Sequence, residues 1–248
     1  MQANAEYFSA GGGILKRQKH SVPETSAANS GGLSRQAEKQ AEKKGEFMDF
    51  LHSQTMQNLA RSFAGESQAR NRYTFYAQQA RREGQEYLAG IFEQTADNEK
   101  VHAEEFWELL TKHAGKQIDN IGIDAGYPFS YGNTGENLQF AAQGEQAENE
   151  TVYPQFARIA SEEGYEDAAR LWRLIATVEG LHYRTFMQAR EEYLSGTLYR
   201  RGEPVAWRCL NCGYTYRAKE AAAQCPVCGK DKGWTMGYVD DRSLPGSG

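Results

Sequence analysis

Apolar residues recur three or four positions apart along four segments of the chain, and in each segment acids interrupt the apolar line. Between Ser53 and Arg82 the line runs through Met56, Leu59, Phe63, Glu66, Tyr73 and Tyr76. This predicts an amphipathic helix with a carboxylate set into its buried face. Glu83-Gly84 breaks it, and a second helix follows through Leu88, Phe92, Thr95, Glu99, His102, Phe106 and Leu110. That helix should end at His113 to Gly115, where glycine suits a left-handed cap and His113 complements the helix dipole. Residues 115 to 135 carry five Gly, one Pro and no helical period. They are long enough to cross the length of a bundle rather than turn at its end. The third helix is expected through Leu138, Ala141, Glu145, Glu148, Val152, Phe156 and Ile159, bent where Pro154 removes a backbone donor just after the acids. The fourth runs through Ala168, Leu171, Ile175, Glu179, His182, Phe186 and Ala189.

The two halves repeat. A shift of 80 residues lays Tyr73 on Tyr153, Ala80 on Ala160, Glu83-Gly84 on Glu163-Gly164, Phe92 on Trp172, Glu99 on Glu179 and His102 on His182. The register slips at one place. Glu66 falls on Gln146, one residue from Glu145, and either a local bulge or a drifted duplication would account for it.

The fold expected is therefore an all-α four-helix bundle over residues 48–197, followed by a small module at 203–241 and a tail at 242–248. Residues 1–47, rich in Gly, Ser, Ala, Lys and Gln, settle into no period and are expected to be a disordered extension, so His20 within them is read as solvated. Charged residues make up 25% of the chain and the formal net charge is -5. With no long block of like charge, neither nucleic acid nor an anionic membrane is indicated as a partner. No apolar run approaches a bilayer span and no secretory-type segment is evident, so the expected location is cytoplasmic.

Glu66, Glu99, His102, Glu145, Glu148, Glu179 and His182 all occupy positions that the helical period assigns to the core. One such acid is ordinarily a boundary carboxylate paired with a base. Five are a different matter, because ionised carboxylates are hardly ever buried without a cation and desolvation costs several kcal/mol per ion. The only cation in phase with them is Arg70. Glu99 and His102, like Glu179 and His182, stand three apart, so each pair can present an oxygen and a nitrogen to one point. Oxygen-rich ligation with two imidazoles suits iron or manganese better than zinc. Two Glu-x-x-His pairs plus a Glu from each of two further helices form the pattern of carboxylate-bridged di-iron bundles.

Near the C-terminus, Cys209 and Cys212 form one Cys-x-x-Cys knuckle and Cys225 and Cys228 another, 12 residues apart, each followed by Gly. Four thiolates at this spacing build a tetrahedral metal site. Spacing alone favours zinc over iron; a neighbouring redox-active bundle reverses that order.

The runs Phe63 to Tyr73 (FAGESQARNRY), Gln94 to Ala103 (QTADNEKVHA), Tyr153 to Ala160 (YPQFARIA) and Trp207 to Tyr214 (WRCLNCGY) resemble the rubrerythrin family, over roughly Phe50 to Tyr238. The resemblance implies a ferritin-like bundle and a rubredoxin-like module. It implies that Glu66, Glu99, Glu145, Glu148 and Glu179 are carboxylate ligands, that Glu99 and Glu179 bridge two irons, and that His182 is a permanent ligand. His102 would ligate chiefly in the reduced state, when one iron moves toward it from Glu148. Tyr73 and Tyr153 would hydrogen-bond the ligands, or else serve only as core aromatics. The implied activity is reduction of hydrogen peroxide, with electrons passing from a four-Cys iron to the di-iron centre as part of oxidative stress defence. Lacking a dinucleotide fingerprint, the chain would draw electrons from an external donor, a rubredoxin or an NAD(P)H-dependent reductase. A ferroxidase that handles iron, or a zinc-loaded interaction protein, is the alternative. From Glu179 to Leu194 a helix rises roughly 22 Å, so a head-to-tail homodimer, or a higher homo-oligomer, is expected to bring one chain's cysteine module to the other's bundle.

Overall fold

The structure, a computed structural model, describes residues 49–238. The expectations for residues 1–47 with His20, for Met48 and for the tail at 242–248 lie outside the described residues. Four long helical segments make the bundle. Helix α1 (Gln54–Arg82) opens at Ser53, whose side chain accepts from the Met56 N–H. Helix α2 (Glu86–Ala114) closes at Gly115 in the left-handed conformation, φ 61°, as the cap signal predicts. In its last turn His113 pairs with Asp167 at 2.9 Å. After the crossover, α3 (Thr134–Ala147) begins with a capping box between Asn133 and Glu136. A π-turn (Glu148–Val152) then leads into α4 (Tyr153–Glu162), and α5 (Glu166–Leu194) completes the bundle.

The π-turn decides between the two explanations of the register slip. Glu66 and Tyr73 are seven residues apart, Glu145 and Tyr153 eight, and the wide turn between the latter absorbs the extra residue. It ends two residues before Pro154, whose missing N–H removes one bond from a regular ladder there. Asn149 in this turn donates to the Ala176 carbonyl at 2.5 Å and packs against Gly180, which ties the turn to α5.

The repeat also appears as reciprocal capping. The Glu163 carboxylate, between α4 and α5, accepts from the backbone N–H groups of Gln54 (2.9 Å) and Thr55 (2.8 Å) at the start of α1. Glu83, between α1 and α2, accepts from the N–H of Thr134 at the start of α3 (3.2 Å). Each acid thus places negative charge at the positive end of a helix in the other hairpin.

Apolar packing divides into two clusters. One gathers Leu59, Phe106, Tyr153, Phe156 and Trp172, the other Tyr73, Tyr76, Leu88, Phe92, Leu138 and Phe186. The predicted stripe of α2 is buried throughout, whereas that of α1 needs correction. Ser62, Ala69 and Arg72 face inward, while Phe63 is 40% exposed and Arg70 is exposed. A heptad-like line through Leu59, Ser62, Glu66, Ala69, Tyr73, Tyr76 and Ala80 is the buried one.

The C-terminal module is a three-stranded antiparallel sheet of order β2-β1-β3, with β1 Arg200–Cys209, β2 Thr215–Glu220 and β3 Thr235–Tyr238. Fully buried Trp207 anchors it, its indole N–H donating to the Ala218 carbonyl at 2.9 Å. The module seats on the turn between α1 and α2. A side chain at Gly233 would meet the Gly84 carbonyl, and Tyr199 donates to Gln85 at 2.9 Å. Leu198, in the connection, is buried in the bundle's second apolar cluster, so the connection is part of the core rather than a tether.

Candidate metal centres

Between the two apolar clusters lies a layer of buried Glu66, Glu99, Glu145, Glu179, His102 and His182. Their donor atoms form two groups, each within 4.8 Å: Glu66, Glu99, His102 and Glu179, and Glu99, Glu145, Glu179 and His182. Glu99 and Glu179 belong to both. Glu148 belongs to neither; it stands half-buried at the start of the π-turn.

Hydrogen bonds among these groups cannot satisfy them. His102 Nδ1 lies 2.9 Å from Glu99 Oε2 and 3.0 Å from Glu179 Oε1, and His182 Nδ1 lies 2.7 Å from Glu179 Oε2 and 3.2 Å from Glu99 Oε1. One ring nitrogen carries at most one proton. Accordingly Glu66 Oε2, Glu99 Oε1 and Glu179 Oε1 are buried with no hydrogen-bond partner. Such oxygens are severely destabilised without a cation among them, and carboxylate oxygen with imidazole nitrogen is a donor set that suits iron. The residues fit a pair of such ions.

The protonation balance reflects the same crowding. Burial, then the charges of Glu99 and Glu179, pushes Glu66 well above the usual carboxylate range, and the same causes raise Glu145. Burial and the charges of Glu179 and Glu99 push Glu148 up to about 8. Burial alone would lower His102 and raise Glu179. Their mutual hydrogen bonding, with that of Glu99 to His102 and of His182 to Glu179, outweighs it, taking His102 to about 9 and Glu179 to about 2. His182, against its own burial, is raised to about 12 by Glu145, Glu179 and Glu99. Protons therefore occupy, in the metal-free protein, the places where cations fit.

Tyr73 and Tyr153 lie in the adjoining cores and cross between the hairpins. Tyr73 donates to Glu145 and Tyr153 to Glu66. Burial, with the neighbouring acids, raises both phenols well above their ordinary range and keeps them proton donors. Two neighbours escaped the sequence reading. Asn98 lies with Nδ2 3.1 Å from His182 Nε2 and orients that ring from behind. Arg72, not Arg70, is the buried cation near the layer. Asn98 directly precedes Glu99 and Arg72 precedes Tyr73, but polarity alone sent both to the surface.

The cysteines converge as their spacing predicts. Cys209 and Cys228 sulfurs are 3.7 Å apart, those of Cys212 and Cys225 3.6 Å, and all four lie within 4.8 Å. Gly213 (φ 77°) and Gly229 (φ 71°) take the left-handed conformation that closes each knuckle. The backbone N–H of Lys230, then the Asn211 side chain, lowers Cys228 to about 6, so a thiolate is already favoured there.

The Rubrerythrin family model matches residues 57–190, and the model for its rubredoxin-like domain matches residues 207–233. The chain is 41% identical over 177 residues to a rubrerythrin of Clostridium perfringens, covering 71% of this chain and 90% of that protein. It is 43% identical over 177 residues to a rubrerythrin of Porphyromonas gingivalis, covering 71% and 86%. Among solved structures, a partially reduced nigerythrin superposes with a TM-score of 0.50 at 28% identity, covering 77% of this chain and 94% of that one. Among the described residues, no helix is long and apolar enough to cross a membrane. With its glutamate and histidine di-iron layer and its rubredoxin-like four-cysteine site, the chain belongs to the rubrerythrin family.

Proposed function

We propose that this protein reduces hydrogen peroxide to water, with electrons relayed from the four-cysteine centre to the di-iron centre. One observation supports this above all: Glu99 and Glu179 contribute to both donor groups, so two metal ions held there would share two acids and act together on one small oxidant. Glu66 and His102 complete one ligand set, and Glu145 and His182 the other. Glu148, outside both groups, is the alternative to His102. When bound, the iron pair supplies the two electrons that breaking an O–O bond requires, and the thiolate-held iron replaces them one at a time.

Two protons must accompany those electrons for each peroxide to leave as two waters. Tyr153 holds Oε1 of Glu66 and leaves Oε2 free for ligation; Tyr73 holds Oε1 of Glu145 and leaves Oε2, which lies 3.5 Å from His182 Nδ1. Glu148, half-buried and readily protonated, carries protons between the acid layer and solvent. The packed aromatic clusters on either side exclude bulk water.

The cysteine module sits at the end of the bundle where α2 begins. Glu99 is 13 residues beyond Glu86, roughly 20 Å along the axis. A head-to-tail homodimer would bring one chain's module to its partner's acid layer. Anaerobic titration of the fully reduced protein tests the activity: peroxide should restore the oxidised four-Cys spectrum promptly, and reoxidation by dioxygen outpacing that by peroxide would refute it. Mixing a variant lacking Cys209 and Cys212 with one lacking Glu99 and Glu179 tests the relay. Hybrid dimers should recover up to about half the activity per dimer, since two-fold pairing joins one intact module to one intact bundle. Inactive hybrids of confirmed mass would place transfer within one chain.

A further inference from the structure

We infer that Asn149 is a positioning residue for Glu148, and that its seat on Gly180 ties the backbone carrying Glu148 to the backbone carrying the shared acid Glu179. This role rests on the part proposed above for Glu148, as proton carrier and alternative to His102. Asn149 directly follows Glu148 and Gly180 directly follows Glu179, so one contact joins the chain neighbours of both acids.

A π-turn is rare in a helix and tends to mark a functional site. On the backbone, the N–H of Tyr153 closes this one by reaching the Glu148 carbonyl, five residues back. Among its side chains, Glu150 and Thr151 are exposed and Val152 is buried in apolar core. Asn149 is the polar anchor. Its Nδ2 donates to the Ala176 carbonyl at 2.5 Å, and its amide lies over Gly180, where a Cβ would meet Nδ2 at 3.0 Å, Cγ at 3.2 Å and Oδ1 at 3.3 Å. Ala176 and Gly180 are about one turn apart on one face of α5, so a single amide grips that face. In a close-packed interior any side chain at 180 would displace it.

The first hairpin has no such tie. The repeat places exposed Lys100 at the position of Gly180, and the stretch from Glu66 to Tyr73 is unbroken helix. Helical phase alone carries Glu66 into a donor group. Glu148 stands outside both groups, and its place is set by the turn that Asn149 holds.

Peroxide turnover and Mössbauer spectra of the iron-loaded full chain test the inference. Asn149→Ala should lower turnover several-fold, yet lower it no further in a Glu148→Gln background, because the amide acts through that acid. In the oxidised protein the two single variants should alter the same iron signal and leave the other unchanged. Iron content should stay at the wild-type level, since neither residue belongs to a donor group. Asn149→Ser, too short to reach the Ala176 carbonyl, should repeat these effects and keeps the test decisive if Asn149→Ala fails to fold. Thermal unfolding reads the contact itself. Gly180→Ala should lower the midpoint when Asn149 is present and raise it beside Asn149→Ala, where alanine is simply the better helix former. Wild-type turnover in Asn149→Ala, equal proportional losses in both backgrounds, or a Gly180→Ala shift of one sign in both, overturns the proposal and leaves the role of Glu148 standing. Full turnover in Glu148→Gln removes that role, and the positioning role of Asn149 with it.

Discussion

The two hairpins of the bundle are built to one plan and differ at a few positions. Both supply a Glu-x-x-His pair, one further acid, a tyrosine that crosses to the other's acid, and a turn acid that caps the other's helix. Only the second carries a π-turn with Glu148 at its start; only the first carries Arg72 where the second has Val152, and Asn98 where the second has Val178. The shared features are those that two like cations demand of their surroundings. The differences place a wide turn beside the acid layer in the second half and a buried cation beside the same layer in the first.

Removing a shared acid should have the largest effect. Glu99→Ala and Glu179→Ala should each lose about two irons per chain, because each acid serves both donor groups, while the red colour of the four-Cys iron survives. Glu66→Ala and Glu145→Ala should each lose about one. Metal analysis with absorption spectra checks this, and unequal losses between Glu99 and Glu179 would break the equivalence of the hairpins.

Next in size is the pH dependence of the metal-free protein. Glu148 rises to about 8 from an ordinary 4.5, and His102 to about 9 from 6.5, with Glu66, Glu145 and His182 raised as well. The folded state then holds more protons than the unfolded chain from about pH 4.5 upward. Its stability should fall as pH rises from 5 to 9, by up to about 1.4 kcal/mol per unit for each extra proton. Glu179, lowered to about 2, acts oppositely, and only on acidification below 4.5. Metal-loaded protein should show a nearly flat profile, since cations replace those protons. Denaturant midpoints at the two pH values, with and without iron, provide the measurement. Equal stability of the metal-free form at both would contradict the buried acid layer.

Deleting exposed Glu150 should convert the π-turn to regular helix and give the second hairpin the seven-residue spacing of the first. Iron loading should persist while peroxide turnover drops several-fold through misplacement of Glu148. Unchanged turnover would remove Glu148 from the proton path. The smallest and most symmetrical effect belongs to the tyrosines. Tyr73→Phe and Tyr153→Phe should each destabilise the iron-loaded protein by about 1–2 kcal/mol, the worth of a buried hydrogen bond to a carboxylate. A difference between them measures the asymmetry directly.

Much of this was written in the linear chain. The stripe of α2 from Leu88 to Leu110, the Glu-x-x-His pairs, the 80-residue repeat and the cysteine knuckles follow from periodicity and spacing, because helical phase and thiolate geometry are local constraints. Phe63 misled on α1 because hydrophobicity ranks it above Ser62 and Ala69. Near the acids, however, small residues let the helices close, and Ser62 is needed as the acceptor of the Trp172 indole N–H at 2.9 Å. The sequence by itself determined which side chains could bind metal. Only the tertiary structure decided that one extra residue becomes a π-turn and that Arg72 rather than Arg70 is buried. These outcomes depend on where the second hairpin lies against the first, and contacts made across some 80 residues of chain leave no period along it.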